Sequence, residues 1–368
     1  MSKGIAESDK NFLAVKSKYP DVEFHNILDE PFAIDGLYMP KETGIYTRLP
    51  MEFMDLAELN DTAKIVMTNT AGGKVRFITD SPYVALWVRL GETSYIMHHI
   101  ADTAVMGFDM YASDDASQDE EAFAKVYIPA VDENKCYAGM YEFPCSKLRN
   151  ITLNFPLYHN VSEVYVGLKA GCILTKPKEY AFSKPVVFYG SSITQGGCAS
   201  RPGTAYTAIV SRRLNCNHIN LGFSGAGQGE QLMAEYIADM DMSVFVMDYD
   251  HNALSVEHLQ NTHYAFYETV RKKNPHLPII MMSAPISTLD EYNPIIPVMK
   301  KRRIVVMESY IKAVKSGDEN VYFVDGEALL GTDKPYNSTV DGNHPTDYGF
   351  CQMADRLYPI LKRLLYKK

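Results

Sequence analysis

From Pro185 onward, short apolar segments alternate with helical stretches, and this alternation limits the fold more than any other feature of the chain. VVFYG (186–190), HINL (218–221), VFVM (244–247), PIIMMSA (278–284) and VYFV (321–324) are almost wholly apolar. Helical text lies over TAYTAIVSRRL, with Thr204 as the expected N-cap, over QLMAEYIADM, over about 256–273 and 297–314, and over 346–365. A strand with one wet face alternates polar and apolar residues. Strands apolar on both faces belong to a parallel sheet covered by helices on both sides. Ligands of such sheets bind beyond the carboxyl ends of the strands, so the segments after each strand are where function is to be sought.

The first half has a different texture. In YVALWVRL, the residues Val84, Leu86, Val88 and Leu90 fall on one face at period two. VRFITD (75–80), GFDMYAS (107–113), AKVYIPA (124–130), NITLNF (150–155) and VSEVYVGLK (161–169) are further β-rich runs between turn residues, and long helical periodicity is missing. Many short strands separated by turn signals predict an antiparallel sandwich. This half carries no chemistry-bearing motif and reads as a packing or binding module. A connector around 170–184, with Pro177 inside it and Pro185 after it, separates the halves, and 368 residues are enough for two cores. The expected domains are 1–182 and 183–368.

Charge and composition exclude several functions. With 36 Lys+Arg against 45 Asp+Glu the formal charge is −9, and no basic stripe marks a nucleic-acid partner or a polybasic membrane anchor. No run approaches the roughly 20 apolar residues of a membrane span. The amino-terminal twelve residues lack the apolar core of a signal peptide, so the sequence as given reads as cytoplasmic, or as secreted or periplasmic if a signal has been removed. Six cysteines, at 136, 145, 172, 198, 216 and 351, form no CxxC and read as free thiols. His98 and His99 are adjacent on an expected strand, His258 and His263 are five apart, and HExxH is absent, so no metal is expected.

Four segments after the strands carry chemistry. The first strand is followed by Gly190-Ser191-Ser192-Ile193-Thr194-Gln195-Gly196, whose glycines permit a sharp turn that displays a serine at the sheet rim. The second is followed by Gly222-Phe223-Ser224-Gly225-Ala226-Gly227, the third by Asp248-Tyr249-Asp250-His251-Asn252. Asp341-Gly342-Asn343-His344-Pro345 precedes the last helix. A serine becomes a nucleophile when a histidine takes its proton and a carboxylate orients that histidine, and Asp and His three residues apart can meet on one turn. An oxyanion needs preorganised donors, for which the Gly225 N–H and the Asn252 amide are candidates.

In these four blocks the second half resembles an SGNH (GDSL-type) hydrolase. GSSITQG resembles GDSxTxG, NLGFSGAG the second block, DYDHNA the GxND block and DGNHP the DxxHP block. The resemblance implies a three-layer, flavodoxin-like α/β domain and an esterase. Its nucleophile would be Ser192, its base His344, its acid Asp341, and its oxyanion hole the Ser192 and Gly225 N–H groups with the Asn252 amide. Ser191 stands where the family usually has Asp, and Ala253 where Asp follows the asparagine. Ile34-Asp35-Gly36-Leu37-Tyr38 resembles the GxDLY-type amino-terminal domain of some such esterases, a β-sandwich of jelly-roll type.

Rival readings attach to neighbouring residues. Ser224 lies in a near-GxSxG turn, but a single strand precedes that turn's own strand. Asp325 competes with Asp341 as the acid, though Asp341 is nearer in sequence to His344. The glycines of 222–229 do not spell a nucleotide cradle. Arg201 either contacts substrate or braces the nucleophile loop, and Asp250 and His251 border the asparagine as candidate pocket residues. The expected substrate is a short acyl ester, acetyl on carbohydrate first, with no cofactor. Hydrolysis of an N-acetyl amide uses the same residues. The alternative from another class is a non-catalytic carbohydrate binder, against which the intact Ser192, Asn252, Asp341 and His344 speak.

Overall fold

A computed structural model describes residues 9–94, 97–113, 115, 121–286, 293–331 and 335–367. Two compact units make up the chain. One takes the chain up to Leu49, Thr68–Glu179 and Arg201–Gly203; the other takes Pro50–Met67, Tyr180–Ser200 and Thr204–Lys368.

The first unit is built from antiparallel sheets. After helix α1 (Lys10–Lys18) come β1 (Val22–Asn26), β2 (Ala33–Asp35), β3 (Lys74–Thr79), β4 (Tyr83–Ser94), β5 (Phe108–Ala112), β6 (Ala122–Tyr127), β7 (Cys136–Glu142), β8 (Arg149–Asn154), β9 (His159–Lys169) and β10 (Leu174–Thr175). One sheet has the order β1-β9-β4-β7 and the other β10-β3-β8-β5-β6, with β2 against β3. Val84, Leu86, Val88 and Leu90 enter a core shared with Val75, Phe77, Met110, Leu153 and Val166, as their period-two spacing predicts. The intervening Trp87 is buried too, because α1 covers the other face of its sheet. Phe12 stacks on Trp87 at 4.5 Å, and the Trp87 indole donates to Asp9 at 3.0 Å. The GxDLY segment forms the end of β2 and a turn. Asp35 pairs with Arg76 at 2.7 Å, and Gly36 takes a φ of 78°, a left-handed value that glycine tolerates best.

The second unit contains the parallel sheet. Its elements are α2 (Asp61–Val66), β11 (Phe182–Gly190), α3 (Ser192–Gln195), α4 (Tyr206–Leu214), β12 (Cys216–Gly222), α5 (Gln231–Ala238), β13 (Val244–Asp248), α6 (Val256–Lys273), β14 (Ile279–Met282), α7 (Ile296–Lys315), β15 (Val321–Val324) and α8 (Asp347–Tyr366). The order β12-β11-β13-β14-β15, all parallel, is the doubly wound 2-1-3-4-5 arrangement. Every residue of β13 and β14 is buried, which is why these strands read as unbroken apolar runs. Register places Gly190 opposite both Gly222 and Asp248, so three of the loops that carry candidate residues leave the sheet side by side at the switch point.

Three local expectations are corrected. Thr204 does not cap α4: Pro202–Thr204 form a 3-10 turn, and the cap position falls to Ala205. Thr346 stands outside the last helix as its N-cap, accepting the Gly349 N–H. His98 and His99 lie in a turn rather than on a strand.

Candidate active site

Ser192 opens the single-turn helix α3 directly after β11. Ser191 caps that helix by accepting the Ile193 N–H at 3.2 Å, doing with a hydroxyl what a carboxylate can also do at an N-cap. The turn closes when the Gly197 N–H donates to the Ser192 carbonyl at 2.7 Å. Glycine is required at Gly190, where a Cβ would sit 2.1 Å from Thr194 Oγ1 and 2.4 Å from the Asp248 carbonyl.

The Ser192 hydroxyl lies 2.9 Å from His344 Nε2, and His344 Nδ1 lies 2.8 Å from Asp341 Oδ2. The Asp341 carboxylate also accepts the backbone N–H groups of Asn343 and His344 through Oδ1, at 3.0 and 2.7 Å. Partial burial pushes this carboxyl up, but the bonds from the His344 ring and backbone, the imidazole charge and the Asn343 N–H outweigh it and hold it below the ordinary value. An ionised Asp341 only accepts, so Nδ1 carries the imidazole proton and Nε2 is left to accept the serine O–H. The three side chains therefore form one polarised chain of hydrogen bonds.

The rival residues are engaged elsewhere. Asp325 forms a two-bond ion pair with Arg303 and caps a 3-10 turn through the Glu327 N–H. Ser224 is buried in its turn, its N–H donating to Gln195 Oε1 at 2.9 Å. Cys198 is buried near Asp341; burial first and the Asp341 charge second push its thiol up to about 12, so it stays protonated at neutral pH.

Gly225 is exposed at φ 68°, and a Cβ there would meet nothing within 4 Å. Asn252 ends the 3-10 turn Asp250–Asn252 after β13, and its Nδ2 donates to the Phe223 carbonyl at 2.8 Å, leaving its second N–H for another acceptor. This bond ties the asparagine to the glycine loop. That loop has a further brace invisible in the sequence: Asn60, which also caps α2, donates to the Ala226 carbonyl at 3.0 Å and to Glu230 at 2.7 Å. Glu230 in turn accepts from the Tyr189 hydroxyl at 2.8 Å.

Arg201 is held within the first unit. It donates to the buried Asp109 at 2.9 Å and to the Tyr111 hydroxyl, and it lies 3.9 Å from the Phe123 ring centroid. Asp250 is 1% exposed, and its Oδ2 accepts the Ala284 N–H at 3.1 Å, joining the turn to the end of β14. Burial pushes Asp250 up to about 6. His251 is partly exposed; burial, followed by the charges of His344 and Arg302, drives it down to about 4.

His263 on α6 is buried, stacks on Tyr249, and is driven down to about 3 by burial alone. A histidine whose folded value is depressed supports folding fully above its unfolded value near 6.5, and that support is lost as pH falls toward 3. Asp250 acts in the opposite sense between about 3.8 and 6. The difference between wild type and His263→Phe isolates the histidine. The variant's melting temperature, measured by calorimetry, is expected to gain about 5 °C on wild type between pH 7 and pH 4.5. A constant difference over that range would exclude this role for His263.

The profile of the GDSL-like lipase/acylhydrolase family matches residues 183–362, and that of the N-terminus of SGNH-hydrolase-type esterases, GxDLY, matches 22–174. No curated protein sequence matches the chain. Among solved structures, a candidate GDSL-like lipase from Bacteroides ovatus is 28% identical, with a TM-score of 0.82 over 94% of this chain and 98% of its own. A salicylyl-acyltransferase from a tetracycline biosynthetic pathway is 20% identical, with a TM-score of 0.74 over the same shares. An acetyl xylan esterase from the rumen bacterium Butyrivibrio proteoclasticus is 13% identical, with a TM-score of 0.59, again over 94% and 98%.

Proposed function

Since the chain belongs to the GDSL-like lipase/acylhydrolase family, and is an SGNH-type ester hydrolase with a GxDLY amino-terminal domain, we propose that it removes short acyl groups, acetyl above all, from carbohydrate esters. The observation carrying this reading is the bonded series Ser192–His344–Asp341 at the switch point of the sheet. In the proposed reaction Ser192 Oγ attacks the ester carbonyl as His344 Nε2 takes its proton. The carbonyl oxygen becomes an oxyanion received by the N–H groups of Ser192 and Gly225 and by the Asn252 amide. His344 returns the proton to the departing alcohol, leaving an acyl-serine. A water, deprotonated by His344, attacks that ester and releases the acid, and Ser192 recovers its proton.

The choice of acetyl and carbohydrate is supported by the fold shared with the acetyl xylan esterase. The test compares p-nitrophenyl acetate, butyrate and octanoate, followed by acetate release from acetylated xylo-oligosaccharides. The expected order of kcat/KM is acetate first, with octanoate at least about 100-fold slower, a difference of about 3 kcal/mol in transition-state binding. Preference for octanoate would overturn the short-acyl reading, and acetate release from simple esters but never from the oligosaccharides would overturn the carbohydrate reading.

A further inference from the structure

Asn252 sits at the end of a short 3-10 turn, an element too brief to fix a side chain by its own hydrogen bonds. Within the turn, the Asn252 N–H bonds to the Tyr249 carbonyl and the Ala253 N–H to the Asp250 carbonyl. The carbonyls of His251 and Ala253, on either side of Asn252, point out of it. Both are taken by a single side chain from a distant helix. Arg302, on α7, donates from Nη1 to the His251 carbonyl and from Nη2 to the Ala253 carbonyl, each at 2.6 Å. Arg302 is 8% exposed, and its Nε is buried without a partner among the described residues. The guanidinium thus spends its terminal nitrogens on one fork that straddles one residue.

We infer that Arg302 is a positioning residue for the oxyanion site: by holding the carbonyls of the residues before and after Asn252, it fixes the direction in which the Asn252 amide meets the developing negative charge. Two parallel bonds resist rotation of the turn in a way that one bond cannot, and they suit the rigid planar fork of arginine rather than the point charge of lysine. The second bond that holds Asn252, from its Nδ2 to the Phe223 carbonyl, fixes the tip of the side chain while Arg302 fixes its base. Asp250, beside Arg302, holds the same turn from the other direction through the Ala284 N–H. A donor preorganised in this way spends nothing on reorientation as the oxyanion forms, which is where such donors gain their catalytic value.

The inference rests on the oxyanion role proposed for Asn252, and a double-mutant cycle separates the two. Asn252→Ala, Arg302→Ala and the double variant are assayed with p-nitrophenyl acetate, and Arg302→Lys and Arg302→Met, which keep much of the buried stem, accompany them. Asn252→Ala is expected to lower kcat on the order of 100-fold. Arg302→Ala and Arg302→Met are expected to lower kcat about 10- to 50-fold with KM changed less than about threefold, and Arg302→Lys to recover only part of the loss. In the Asn252→Ala background, removing Arg302 is expected to cost less than about threefold more, because the group it positions is gone. Full additivity, or an equal loss in KM, would overturn the positioning role while leaving the oxyanion reading intact. An Asn252→Ala variant as fast as wild type would overturn both. If every Arg302 variant lacks a cooperative thermal transition, the arginine serves folding and the inference fails.

Discussion

Ser192→Ala is expected to fold as the wild type does and to lose ester hydrolysis almost completely, by a factor on the order of 10⁶ in kcat, or about 8 kcal/mol of transition-state stabilisation. The fold should survive because the change removes one oxygen whose proton is given to His344 Nε2, and because the helix cap belongs to Ser191. The rate should collapse because His344 Nε2 loses the hydroxyl whose proton it takes. Cys198 is held protonated, and Ser224 is buried in its turn. His344→Ala should lose about as much. The double variant should be no worse than either single one, since serine without its base and base without its serine are equally idle. Burst kinetics with p-nitrophenyl acetate provide the check: wild type should acylate and turn over, and Ser192→Ala should show neither phase. Retention of more than about a hundredth of the wild-type rate in Ser192→Ala would remove Ser192 as nucleophile.

Much of the second unit was legible from its sequence because its central strands, β13 and β14, are buried on both faces. VFVM reads as such a strand, and the helix over 256–273 is delimited by a serine cap and a basic last turn. The site followed from the same logic, since each motif directly succeeds or precedes such an element. The first unit was less legible. β1 and β7 mix exposed and buried positions, and Trp87 lies on the face that period-two reasoning assigns to solvent. It is buried only because α1, distant in sequence, lies across it. Residues 50–67 carry no motif and fall among the strands of the first unit in sequence, yet they pack with the second, where Asn60 reaches the glycine loop. Arg302 was hidden in the run KKRR (300–303), which as text is a solvated basic face. On α7 those four consecutive residues point in four directions, so that the two lysines are exposed, Arg303 pairs with Asp325, and Arg302 turns inward to Asn252. A charge run specifies no partner, and only the packing of the helix selects which member is buried.

The two aspartates that compete in sequence for the acid role make the second large prediction. Asp341→Asn is expected to lower kcat by about 10³- to 10⁴-fold with little change in KM, whereas Asp325→Asn should stay within about twofold of wild type in both. The reason lies in the number of acceptors. Asp341 uses Oδ1 for two backbone N–H groups and Oδ2 for His344 Nδ1. An asparagine has one oxygen. If that oxygen stays with the backbone, the amide nitrogen faces Nδ1 as a donor, Nδ1 must accept, and the imidazole proton moves to Nε2, where it blocks transfer from Ser192. If the oxygen instead faces Nδ1, the amide nitrogen confronts two backbone donors and the turn loses its fit. Neither arrangement preserves both jobs of the carboxylate. Asp325, paired with Arg303 and capping its own turn, has no bond to His344 to lose. Its replacement should appear in thermal stability instead, as a lowered melting temperature at unchanged kcat. Comparable losses of kcat in both variants, or a larger one in Asp325→Asn, would reassign the acid.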